Sequence, residues 1–137
     1  MKLTTTLMKW NNVGILALRL AIAIIFFVHG AHKWGMWGME PSAEMHSSML
    51  WILRILSVAE PLAALAITIG YLTPIAAIGL IVDMLGAINL KMNISHTPFM
   101  DLPAPGWEFE FMILAGLICL LFIGPGKYSI EGRPPKA

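Results

Sequence analysis

The chain has 137 residues, of which 58% are hydrophobic and only 12% charged, with a formal net charge of +1. A soluble domain carries about 25% charged residues, so too little polar surface is available here to cover a water-soluble globule. The near-neutral balance also excludes a strongly basic surface for nucleic acid, and the one cysteine, Cys119, cannot form an internal disulfide.

The apolar residues come in four blocks of the kind that cross a bilayer. The first runs from about Asn12 to Val28. Lys2 and Lys9 precede it, as in a secretory signal, but Arg19 interrupts it and no small-x-small cleavage site follows. It is read as a retained span. A loop from His29 to Met49 leads to the second block, about Leu50 to Ile69. Gly70-Tyr71-Leu72-Thr73-Pro74 then makes a tight turn, with Gly70 suited to end one helix, Thr73 to cap the next and Pro74 to its first turn. The third block runs from about Pro74 to Leu90. The following loop, Lys91 to Glu108, contains Pro98, Pro103, Pro105 and Gly106 and cannot be one helix. The fourth block runs from about Phe109 to Ile123 and stops at Gly124-Pro125-Gly126. The expectation is a single all-α domain over residues 1–137, an integral membrane four-helix bundle with its second and third helices antiparallel neighbours.

Lys2, Lys9, Lys127, Arg133 and Lys136 lie on the terminal side, against Lys33, Lys91 and Arg54 on the side of the long loops. The positive-inside rule places both termini in the cytoplasm of a bacterial-type inner membrane. Trp10, Tyr71 and Tyr128 fall at the inner boundary, and Trp34, Trp37, Trp51 and Trp107 at the outer one.

Ionisable residues inside spans are costly and mark either structure-locking pairs or functional sites. Glu60 lies roughly 15 Å above the inner hairpin and Asp83 at a similar depth, at about 1.5 Å per residue. Arg19 lies somewhat lower, with a side chain long enough to reach upward. A buried cluster of Arg19, Glu60 and Asp83 is therefore expected, and a carboxylate left unmatched by Arg19 is a candidate proton carrier. On the third span Ala76, Gly79, Asp83 and Gly86 share a face, as do Ala59, Ala63, Ala66 and Gly70 on the second, so small residues are available for close helix approach. The same cluster read structurally simply holds the bundle in register.

All four histidines, His29, His32, His46 and His96, map to the long-loop side, together with several methionines. His and Met ligate copper and haem iron, which makes these four histidines a metal-site expectation, although none of their spacings forms a defined motif. The other reading of this side is a pocket for a quinone or similar ligand, shaped by His29, Lys33, Trp34, Trp107 and Glu108. Glu108 and Glu110 stand where they could pair with Lys33. No Cys-x-x-Cys, P-loop or glycine-rich dinucleotide motif occurs.

Several of these segments, taken in order, resemble the DoxX family of small four-span membrane proteins. They are Leu18-Arg19-Leu20 followed by His29-Gly30-Ala31-His32-Lys33, then Glu60 with Gly70-Tyr71-Leu72-Thr73, and the close Gly124-Pro125-Gly126-Lys127-Tyr128-Ser129-Ile130-Glu131. The resemblance puts Arg19, His29, Lys33 and Glu60 at the family's polar positions. It implies a membrane subunit of a quinone-linked oxidoreductase system, since some relatives belong to thiosulfate:quinone oxidoreductase and others are associated with thiol and oxidative-stress systems. The Met-, Trp- and His-rich outer loops depart from the family pattern. Two other functions stand beside this one: a non-catalytic anchor or accessory subunit that joins other membrane-protein subunits or its own copies, and a small proton-linked transporter.

Overall fold

The computed structural model describes residues 9–42 and 45–132, and Lys2, Arg133 and Lys136 of the charge-bias argument lie outside them. Among the described residues there are four α-helices: α1 (Asn11–His32), α2 (Ser47–Ile69), α3 (Thr73–Asn89) and α4 (Glu108–Ile123). A 3₁₀ segment, Lys33–Gly38, extends α1, and a π turn, Leu90–Ile94, extends α3. No strand occurs among the described residues. With these extensions α1, α2 and α3 are long and apolar enough to span a membrane, while α4 has 16 residues.

The helix ends follow from local chemistry. Gly70 takes the left-handed conformation (φ 68°), and the N–H groups of Gly70 and Tyr71 return to the carbonyls of Ile67 and Ala66. This Schellman closure uses the one residue type that enters that region without steric cost. The expected Thr73 cap does not form. Leu72 occupies the cap position with no side-chain hydrogen bond, Thr73 lies inside α3, and its hydroxyl is buried without a partner. The Glu131 carboxylate instead accepts the Leu72 N–H at 2.9 Å. A negative charge at that helix start is favoured by the helix dipole.

α1 packs most extensively on α2, and α3 on α4, whereas contacts between the two pairs are sparser. The apolar core is built from Ile15, Ile22, Ala23, Phe26, Ala64, Ile67, Ala77, Leu80 and Leu117 with their neighbours. Large apolar side chains such as Ile24, Ile55, Leu62, Val82 and Phe122 point outward, the inverse of a water-soluble bundle. Lipid tails are the solvent that tolerates such a surface. Trp10, Tyr71 and Tyr128 mark one end of the bundle and Trp34, Trp37 and Trp51 the other, as two interfacial belts.

One close crossing ties α1 to α2. A Cβ on Gly30 would fall on the ring of Pro61, so only glycine allows the two helices to approach there. Pro61 also lacks an N–H, which leaves the Ser57 carbonyl, four residues back, without its helical partner. The Trp34 indole donates to that carbonyl at 2.9 Å.

Candidate functional site

Arg19 is fully buried, and all of its recorded hydrogen bonds go to main-chain carbonyls. Nε donates to Ile67 at 2.8 Å, Nη2 to Thr68 at 2.7 Å, and Nη1 to Pro125 at 2.8 Å and Tyr128 at 2.7 Å. The expected pairing of Arg19 with Glu60 and Asp83 is therefore corrected. The guanidinium turns toward the terminal end, where the last carbonyls of α2 lack the N–H four residues on as a partner and attract a cation. Glu60 is seven residues further up α2 than Ile67, about 10 Å along the helix axis. Arg19 thus knots α1, the end of α2 and the segment after α4 together. Two further main-chain bonds, from Ile130 N to Ile69 O and from Glu131 N to Gly70 O, complete the knot.

Glu60 has a different partner. Lys33, just past the end of α1, places Nζ 2.6 Å and 2.8 Å from the two Glu60 carboxylate oxygens. Glu60 is 1% exposed. A buried pair of this kind survives only with close geometry, because each ion alone carries a large desolvation penalty. Asp83 faces the same carboxylate from α3, and its Oδ2 is buried without a hydrogen-bond partner. Lys33, Glu60 and Asp83 line a cavity of about 500 Å³ on the long-loop side of the bundle. His29 stands in its wall, stacked on Phe109 with ring centroids 5.9 Å apart. Glu110 reaches it from α4 and pairs with Lys91 at 2.9 Å, not with Lys33.

The rest of the wall is apolar, mostly large aliphatic and aromatic side chains with a few small residues on α3. Gly79 and Gly86 line the cavity, and a Cβ on either would meet nothing within 4 Å. The expectation that these glycines bring helices together is corrected: they widen a space between the helix pairs. A cavity of this size, apolar with a few convergent polar groups, has the form of a small-molecule site.

Three residues expected at this pocket stand elsewhere. Trp34 is held against Ser57 on the face of α2 by Pro61, and Trp107 packs edge-on against Phe99 with centroids 4.5 Å apart. Glu108 lies under the turn at Gly106, with Oε2 buried and unpartnered, and does not line the cavity. The metal expectation is also corrected. No three His, Cys, Asp or Glu side chains gather within metal-binding reach among the described residues. His32, His46 and His96 are each exposed and sit on separate segments.

The family model of DoxX matches residues 14–93, which carry α1 to α3 and three of the cavity groups, Lys33, Glu60 and Asp83. The chain belongs to the DoxX family. It is similar to the "Uncharacterized membrane protein Rv3486" of Mycobacterium tuberculosis (strain ATCC 25618 / H37Rv), 27% identical over 90% of this chain and 82% of that protein. It is also similar to the "Putative oxidoreductase CatD" of Bacillus subtilis (strain 168), 28% identical over 90% of this chain and 88% of that protein. No solved structure matches. This DoxX chain is a membrane protein, and the bilayer is its medium.

Proposed function

We propose that this DoxX protein is the membrane subunit of a quinone-linked oxidoreductase system, with the cavity between its helix pairs as the quinone site. The reading includes a bacterial inner membrane, with both termini cytoplasmic and the cavity in the outer half of the bundle. The observation that carries it is the cavity of about 500 Å³ whose apolar wall contains a Lys33–Glu60 pair and an unpartnered Asp83 oxygen. The oxidoreductase naming of the Bacillus relative agrees with it.

The residues fit a ring bearing two oxygens. Lys33 has a third N–H beyond the two directed at Glu60, and His29 adds a second donor or acceptor on the same wall. Asp83 Oδ2 is a free polar atom at the depth of Glu60. A bound quinone supplies two-electron chemistry coupled to proton uptake. Lys33 and His29 would orient its oxygens, Asp83 would hold at Oδ2 the proton that reduction takes up, and the apolar wall would exclude water. The gap between the helix pairs offers entry from the lipid.

The test is binding of a short-chain ubiquinone analogue to the purified protein, followed by quenching of tryptophan fluorescence. Saturable binding to the wild type is expected, with loss of binding in Gly86→Leu, which fills the cavity from a position where a Cβ meets nothing within 4 Å. A wild type that does not bind, or a Gly86→Leu protein that binds as well as the wild type, would overturn the site and leave the accessory-subunit reading in its place.

A further inference from the structure

A second feature lies on the membrane-facing side of α2, away from the cavity just described. Arg54, about two turns into α2 at the level of the tryptophan belt, donates from Nε to Met36 O at 3.0 Å and from Nη2 to Met39 O at 2.8 Å. Its guanidinium lies over the Trp51 ring at 5.0 Å and the Trp37 ring at 5.9 Å. These contacts fix the plane of the group. They account for two of its five N–H donors. No carboxylate of the described residues lies within 4 Å of it; the ion pairs there are Lys33–Glu60 and Lys91–Glu110.

Directly along the same helix face is a groove of about 390 Å³ walled by Trp34, Trp37, Val58, Pro61 and Leu62. Its shape follows from the sequence. Pro61 frees the Ser57 carbonyl, which accepts the Trp34 indole at 2.9 Å, and the Ser57 hydroxyl accepts the Trp37 indole at 3.0 Å. Interfacial tryptophans ordinarily keep their N–H at the headgroup level. Here both N–H groups are turned into the protein, so the two rings stand as rigid apolar walls. From Arg54 to Leu62 is eight residues, about 12 Å along the axis. One leaflet's hydrocarbon is about 15 Å deep.

We propose that this face is a binding site for one anionic phospholipid, its phosphate on Arg54 and one acyl chain in the groove between Trp34 and Leu62. Charge complementarity selects the occupant. A guanidinium with three N–H groups unmet by the described residues, fixed at headgroup depth, matches the forked oxygens of a phosphate. The groove below it offers no polar group for anything but hydrocarbon. The site does not depend on the quinone reading.

The experiment is a native mass spectrometric titration of the delipidated protein in detergent, using phosphatidylglycerol and phosphatidylcholine with identical chains. One phosphatidylglycerol is expected to bind the wild type about tenfold more tightly than phosphatidylcholine, whose choline cation offsets the attraction between its phosphate and the guanidinium. Arg54→Gln is expected to bring phosphatidylglycerol to the phosphatidylcholine level. Val58→Trp, which fills the groove and leaves Arg54 and its loop contacts in place, is expected to weaken both lipids with an unchanged circular dichroism spectrum. Equal affinity for the two lipids in the wild type would overturn the proposal, as would wild-type phosphatidylglycerol binding in either variant. Displacement of the lipid by an equal concentration of glycerol 3-phosphate would overturn it too, since the site would then be one for free phosphate.

Discussion

Removing Lys33 should cost far more stability than removing Lys33 and Glu60 together. Glu60 is 1% exposed, and both of its oxygens lie within 2.8 Å of Lys33 Nζ. In Lys33→Met that carboxylate keeps its burial and loses its counter-ion, which costs about 3–5 kcal/mol. A domain of ordinary stability has only about 5–15 kcal/mol in total, so the single variant sits near the edge of folding. In Lys33→Met/Glu60→Leu both desolvation penalties vanish and apolar side chains fill the same space, a replacement that is often neutral or stabilising. The measurement is equilibrium unfolding in mixed micelles for the wild type, both single variants and the double variant. A coupling of at least about 2 kcal/mol is expected, with the double variant more stable than Lys33→Met. A Lys33→Met protein within about 1 kcal/mol of the wild type would refute the reasoning, because the pair would then be behaving as a solvated surface contact.

Arg19→Lys keeps the charge but replaces a planar fork with a point donor, which cannot reach carbonyls on both α2 and the closing segment. A loss of about 3 kcal/mol or more is expected, and hydrogen exchange should quicken at the Ile130 and Glu131 amides, which bond to Ile69 and Gly70. Gly30→Ala drives a methyl group into the Pro61 ring and should destabilise by about 1–3 kcal/mol in the same unfolding assay, the usual range for overpacking. Asp83→Asn preserves shape and should leave unfolding unchanged while weakening the quinone analogue about tenfold, the worth of one hydrogen bond to a charged group. Unchanged binding would remove Asp83 from the site.

The helical spans and the Gly70 turn were legible because each rests on local information: apolar run length, and a glycine where a helix must close. The partners of the buried charges were not. Depth counted along each helix puts Glu60 and Asp83 level, and they do meet. It leaves open whether a long side chain reaches up or down, and Arg19 reaches down to carbonyls, which carry no side-chain signature in a sequence. Lys33 was assigned to the boundary because it follows the span, yet its flexible stem carries the ammonium inward to Glu60. The glycines of α3 were read as contact residues because spacing shows a shared face without showing what stands opposite. Pro61 interrupts the hydrogen-bond ladder of α2. The chemistry it creates, an orphan Ser57 carbonyl that orients Trp34, depends on a helix distant in sequence. Trp34, Trp107 and Glu108 share a boundary with His29 and Lys33, but equal depth does not bring side chains to the same side of a bundle.

The Arg19 knot makes the molecule mechanically uneven. At the terminal end one guanidinium binds carbonyls from two separated stretches of chain, and α1 cannot shift against the end of α2 there without breaking several strong bonds. At the opposite end the two helix pairs touch sparsely, and glycines face open space. Stiffness at one end and compliance at the other describe a pair of tongs with its pivot at Arg19. The jaws face each other across the cavity, where Asp83 stands toward Glu60 with its Oδ2 unbonded.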